Sequence, residues 1–330
     1  MRKISRIETF YVAPRWLFVR VEASDGAVGW GEASLEGHAE AVDGAMESLR
    51  DRFLGHDPFA IEDIWQIAYR GGFYRGGPVL MSALSGLDQA LWDLKGKALG
   101  LAAWEMLGGK LRDRVRAYAW IGGDRPDDIA EAATARRAQG FSAVKMNATA
   151  ELDWIGTPKL FDDVIARVQA AQNAGMDVGL DFHGRVHKPL AKQLAKALEP
   201  YGLLFIEEPL LSENYEGIAQ IAHLTSTPIA LGERLYSRWD FKPCSKAEAS
   251  TSSSPICRMP AGSPNAGRSR RWPKPMTSRS PLIVRSARWR SPHASSWPPA
   301  RPMSRSRKCR WESTIMSAPT STAIVTTGHR

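Results

Sequence analysis

The sequence predicts an α/β protein. An α+β domain spans residues 1–112, an incomplete (β/α) barrel of parallel strands spans 113–243, and an irregular, disordered segment spans 244–330. Three observations carry this reading. Apolar runs ending in Asp181, Glu207 and Glu233 recur at intervals of 26 and 26 residues, which is the length of one strand, one helix and two loops. The first hundred residues instead read as strands followed by helices, without that alternation. After Pro243 all periodicity stops.

In the first domain, Ile4 to Tyr11 and Trp16 to Ala23 alternate as strands do, and Ser24-Asp25-Gly26 signals a tight turn into Val28-Gly29-Trp30-Gly31-Glu32. Apolar residues then recur at three- and four-residue intervals over Ala39 to Phe53, Ile61 to Tyr69 and Met81 to Gly100, which predicts three helices, the last ended by its glycine. Between the last two lies a Gly-rich aromatic loop, Phe73-Tyr74-Arg75-Gly76-Gly77-Pro78, which fits a plain turn as well as a lid. From Val115 strands and helices alternate: Val115 to Ile121, then a helix over Pro126 to Gln139, a strand at Ala143 to Met146, a helix over Lys159 to Asn173, and the three acid-terminated strands. Five such repeats predict a barrel rather than a doubly wound sheet, with five of its eight strands accounted for.

Composition excludes several classes. No run of about 18 apolar residues is present, so no membrane span is expected, and the polar residues after Met1-Arg2-Lys3-Ile4 break any signal-like stretch. A cytoplasmic protein is the expectation. The net charge of +9 is uneven: residues 244–330 hold 16 Lys and Arg against 2 acids, or +14, which leaves the first 243 at −5. A Ser/Arg/Pro-rich segment of this kind cannot bury enough apolar surface to offset chain entropy. Taken at face value it would be an arm that binds nucleic acid, but no folded nucleic-acid module accompanies it, so that partner is disfavoured. Cys244, Cys257 and Cys309 lack metal-ligand or disulfide-framework spacing.

The chemistry sits at the strand ends. A parallel barrel gathers these at one mouth, so Asp181, Glu207 and Glu233 converge there, and three carboxylates repel one another unless a cation lies between them. All-oxygen ligands with room for a substrate favour Mg²⁺. His183, two residues after Asp181, is placed to move a proton to or from whatever the cation holds. Lys145 and Asn147 end the preceding strand with the same two-residue spacing and face inward, where a lysine can bind a substrate carboxylate or act as a base. Glu208 is expected to point the other way into a structural pairing, and His187 to lie on the surface.

Taken together, Val28-Gly29-Trp30-Gly31-Glu32, the Phe73 to Pro78 loop, Asp88-Gln89-Ala90-Leu91-Trp92-Asp93, Gly179 to Arg185, Phe205-Ile206-Glu207-Glu208-Pro209 and Gly232-Glu233-Arg234 resemble the enolase superfamily, in its mandelate racemase-like subgroup. The resemblance runs from the N-terminus to about Pro243. It implies a capping domain before the barrel, Mg²⁺ held by Asp181, Glu207 and Glu233, and β-elimination of water from a sugar acid, D-galactonate, to a 2-dehydro-3-deoxy acid. It implies that His183 assists departure of the hydroxyl. Asn147 stands where racemising relatives carry a basic lysine, which favours dehydration.

The same resemblance implies an α-proton base, a His on the seventh strand paired with an Asp on the sixth. Neither is present in the chain as written. Yet Ser280 to Arg285 can be encoded TCG CCC CTC ATT GTC CGC, which read two bases in gives Ala-Pro-His-Cys-Pro, the resembling base motif. Ser254 to Pro260 can be encoded AGC CCG ATC TGT CGC ATG CCN, which, preceded by one C, gives in that same frame Gln-Pro-Asp-Leu-Ser-His-Ala, the sixth-strand motif. Two matches in one frame and in the right order point to a one-base frameshift near Pro243 and Cys244. The chain as written is therefore expected to be inactive and, with open sheet edges, to fold poorly. Oligomeric state leaves no decisive spacing in the sequence, and a homo-oligomer stays open.

Overall fold

The structure is a computed structural model. It describes residues 2–109, 113–114, 116–149, 152, 157, 159–237 and 239–242, and farther along the backbone of three short strands. The expected frameshift point at Pro243 and Cys244, and most of the segment expected to be irregular, lie outside the described residues.

The first compact unit is built on Met1–Asp113. Strands β1 (Ile4–Val12), β2 (Trp16–Ala23) and β3 (Val28–Glu32) form an antiparallel meander. Every second residue of β2, namely Leu17, Val19, Val21 and Ala23, is buried, as the period of two requires. Against this face pack α1 (Ala39–Phe53), α2 (Ile61–Arg70) and α3 (Pro78–Leu99), contributing Val42, Met46, Phe53, Ile64, Leu87, Leu91 and Leu94 to one core. The Val-Gly-Trp-Gly-Glu strand has a physical reason for its glycines. A Cβ on Gly29 would stand 2.0 Å from the Ala90 carbonyl oxygen, and one on Gly31 would stand 2.0 Å from that of Gly86, so β3 lies directly on the backbone of α3. Side chains of α3 then tie down the strand: Asp93 Oδ2 accepts from the Trp30 N–H at 2.8 Å, and Gln89 accepts from the Glu32 N–H at 3.2 Å while donating to the Glu32 carbonyl at 3.1 Å. A short helix, α4 (Ala103–Met106), follows Gly100, whose left-handed φ of 68° closes α3.

The second unit starts at Arg114. Its order is β4 (Ala117–Trp120), α5 (Pro126–Ala138), β5 (Ala143–Asn147), α6 (Lys159–Asn173), β6 (Asp177–Asp181), α7 (Lys188–Leu198), a 3₁₀ turn, β7 (Phe205–Glu207), α8 (Tyr215–Leu224) and β8 (Ile229–Leu231). The five strands are parallel and adjacent in sequence order. Residues 143–146 and the whole of β7 and β8 are buried, as strands covered on both faces must be. The five-strand block is as the sequence predicts, but its two edges, expected to be open, are paired. Strand β9 (Ile256–Met259) runs parallel beside β8, β10 (Ile283–Val284) runs parallel beside β9, and β11 (Ser321–Ala323) runs antiparallel along β4. Pieces of two to four residues among Ser and Pro carry no period, which is why the sequence did not reveal them. Among the described residues no helix is long and apolar enough to cross a membrane.

Candidate active site

Three strand ends set the site. Parallel register pairs Asn147 with Asp181 and Asp181 with Glu207, so β5, β6 and β7 present a row of polar side chains at their C-terminal ends. Lys145, two residues back on β5, shares the face of Asn147. Its ammonium donates to Asp181 Oδ2 at 2.9 Å and to Glu207 Oε2 at 2.8 Å. All three side chains are almost sealed from water, Lys145 at 5% exposure, Asp181 at 3% and Glu207 at 1%. Lys145, expected to meet a substrate, is thus bound by two of the expected metal ligands.

His183 reaches Asp181 by a route other than the one its spacing suggests. Strand β6 ends at Asp181, so strand alternation does not extend to His183. Instead a turn brings it back: its backbone N–H donates to Asp181 Oδ1 at 2.8 Å, and its Nδ1 stands 3.6 Å from Oδ2. The turn costs backbone strain, with φ of 57° at His183 and 44° at Glu208 after β7. These are the only non-glycine residues with positive φ among those described. Arg234 fixes the His183 turn by donating to its carbonyl at 3.0 Å. Glu208 is buried, accepts from the Ser212 hydroxyl at 2.6 Å, and is approached by the Gly232 N–H at 3.4 Å, the structural pairing expected of it. On the far side of β5, the buried Arg167 of α6 donates to the carbonyls of Asn147 and Ala148 and so anchors that strand end. Spacing alone does not reveal Arg167, since a basic residue on a helix reads as a solvated face.

Electrostatics follow from these contacts. Burial would raise the Asp181 carboxyl, but His183 and the Lys145 ammonium together hold it well below the usual carboxylate range. The same Asp181 contact raises the His183 imidazole against the opposing effect of burial, and Glu233 adds to the rise. Burial pushes Glu208 up to about 7, with the Ser212 bond pulling the other way. Glu233 lies in the turn after β8, half-buried, and among the described residues no three His, Cys, Asp or Glu side chains come together as a metal-binding group. The structure therefore gathers Asp181 and Glu207 but does not bring Glu233 to them. Half-buried His187 sits at the N-cap position of α7. Phe73 and Tyr74 are exposed, at 88% and 87%.

The site suits a hard divalent cation in its donor chemistry. Two buried carboxylates already converge on one positive charge, and Glu233, in the turn after β8, acts on the His183 imidazole. One ammonium against these acids leaves the cluster negative.

Comparisons with known proteins place the chain by sequence and fold. Residues 7–108 match the mandelate racemase / muconate lactonizing enzyme N-terminal domain, and residues 128–255 match the enolase C-terminal domain-like family. A D-galactonate dehydratase of Ralstonia nicotianae is 51% identical over 243 residues, which is 73% of this chain and 64% of that protein. The chain thus spans less than two thirds of that curated relative. Among solved structures, a mandelate racemase/muconate lactonizing enzyme-like protein from Rubrobacter xylanophilus superposes with a TM-score of 0.70 at 31% identity, covering 78% of this chain and 72% of that one. An enolase from Pantoea ananatis with bound D-gluconate and Mg superposes with a TM-score of 0.68 at 29% identity, covering 78% and 71%.

Proposed function

The chain belongs to the enolase superfamily, in its mandelate racemase/muconate lactonizing enzyme group, and on that premise we propose that it is built as a Mg²⁺-dependent dehydratase of D-galactonate. The product is 2-dehydro-3-deoxy-D-galactonate. The observation that carries the reading is the row Asn147, Asp181 and Glu207 at adjacent strand ends, whose two carboxylates converge on the Lys145 ammonium, in a chain 51% identical to a protein named for this reaction. The bound sugar acid of the Pantoea ananatis structure supports the substrate class.

Asp181, Glu207 and Glu233 would hold the cation. Bound there, it would draw charge from the substrate carboxylate and so acidify the neighbouring C–H. Lys145 and Asn147 orient the acid on the β5 side. His183, whose imidazole the Asp181 contact raises, is placed to give a proton to the departing hydroxyl. Water elimination also needs a base for the α-proton, and the resemblance puts that His and its Asp partner beyond residue 243, where the chain as written carries neither motif.

The frameshift explains that gap. The match to the Ralstonia nicotianae protein is 243 residues long, the length of the stretch before composition changes. Strands β9 and β10 fall at 256–259 and 283–284, inside the two segments that yield sixth- and seventh-strand motifs in the neighbouring frame. A one-base shift near codons 243 and 244, from sequencing or in a pseudogene, accounts for both. The test compares two proteins with Mg²⁺ and D-galactonate, this chain and one with the frame restored. Keto-deoxy acid should form with the restored protein alone. Turnover by the chain as written, or an inert restored protein, would refute the reading.

A further inference from the structure

We infer that Arg167 is a positioning residue: its guanidinium replaces the two strand neighbours that β5 loses at its C-terminal end, and so holds Asn147 in the row where the sugar acid is oriented. The inference rests on the reading of Asn147 given above.

Its ground is where the backbone hydrogen bonds of β5 go. In a parallel ladder, successive residues of a strand bond to alternate neighbours. On one side the Ile121 N–H donates to the Lys145 carbonyl at 2.9 Å, but β4 ends at Trp120, so the next carbonyl on that side, that of Asn147, lies past the end of its neighbour. On the other side the Ala148 N–H donates to the Asp181 carbonyl at 2.8 Å, but the next donor after β6, the His183 N–H, has turned back to Asp181 Oδ1. The Ala148 carbonyl loses that neighbour as well. Arg167 of α6 meets both carbonyls, donating from one terminal nitrogen to Asn147 at 3.1 Å and from the other to Ala148. The arrangement is costly. Arg167 is only 7% exposed, and among the described residues Asp124 and Asp163 act on its charge from beyond ion-pair distance. Elsewhere α6 turns Val164, Val168 and Ala171 inward, so an apolar side chain would serve packing alone. A planar fork that spans two successive carbonyls serves placement instead. What it places is Asn147, the partner of Asp181 in the register, half-buried where Ala148 and Thr149 beyond it are sealed.

Two measurements test this. The first is amide hydrogen exchange of the full chain, in wild type, Arg167→Met and Arg167→Lys, read by mass spectrometry at residues 147–149. Arg167→Met should speed exchange there about tenfold or more while β7 and β8 keep their protection, and Arg167→Lys, a point charge in place of a fork, should fall between. The second is calorimetric titration with D-galactonate of the full chain and its frame-restored counterpart, in Arg167→Met, Asn147→Ala and the double variant. If the arginine acts through Asn147, Arg167→Met weakens the acid about tenfold when Asn147 is present and less than about twofold when it is Ala. Unchanged exchange at 147–149, protection lost equally across β5 to β8, or losses of affinity that simply add would each overturn the proposal. If Arg167→Met does not fold, Arg167→Lys decides by the same outcomes. Binding of the acid by Asn147→Ala as tight as wild type, or no binding by either protein, would instead remove the reading of Asn147, and exchange alone would then decide whether Arg167 holds the strand end.

Discussion

Replacing Lys145 by Met in the metal-free protein should cost far more stability than replacing Glu207 by Gln. At 2.9 and 2.8 Å, each ammonium–carboxylate contact is about 6 kcal/mol of gross attraction at an effective dielectric of about 20. Repulsion between the two acids and the loss of water offset much of this. Lys145→Met takes the ammonium away from two buried carboxylates, for which a loss of about 3–5 kcal/mol is expected. Glu207→Gln instead converts two acids around one ammonium into a balanced pair, and should change stability by no more than about 1 kcal/mol. Urea unfolding at pH 7 with a chelator present, followed by circular dichroism, reads both variants against wild type. Equal losses, or a Lys145→Met loss below about 1 kcal/mol, would show that the lysine does not hold the pair together.

Gly29→Ala forces a Cβ to 2.0 Å from the Ala90 carbonyl oxygen and 2.5 Å from the Leu94 nitrogen, so a loss of at least about 2 kcal/mol is expected from the first unit. Gly44→Ala, in α1 with nothing within 4 Å, should gain about 0.5–1 kcal/mol in the same denaturation assay. Glu208 is raised from 4.5 to about 7, so the folded chain binds its proton more tightly than the unfolded chain does. Without metal, stability should therefore be fully held below about pH 4.5 and fall as pH rises through about 7, by about 3 kcal/mol in all. Glu208→Gln should flatten that profile in a series of melts between pH 5 and 8.

The barrel block was legible because parallel strands buried on both faces are short apolar runs, and because the last three lead into an acid at a fixed interval. The strand ends at Asp181 and Glu207 coincide with the residues that spacing picked out. Register was legible only in outline. That Asn147, Asp181 and Glu207 form one row depends on strand pairing, which no local pattern encodes. The His183 contact was found through a rule that does not apply there, since a left-handed turn rather than an extended strand returns it to Asp181. Lys145 was expected to face inward, but its partners were not foreseen. A lysine two residues before a strand end gives no sign of which neighbours' carboxylates it will meet. The three strands β9 to β11 were invisible because their pairing is tertiary and their sequences carry no alternation.

The proposed reaction requires one cation held jointly by Asp181, Glu207 and Glu233, of which the structure brings the first two together. Mn²⁺ titration followed by electron paramagnetic resonance tests this directly, in wild type and in Asp181→Asn, Glu207→Gln and Glu233→Gln. One tightly bound Mn²⁺ per chain in wild type, lost or strongly weakened in each of the three variants, is the predicted result. No bound Mn²⁺ in wild type, or full retention in Glu233→Gln, would contradict it.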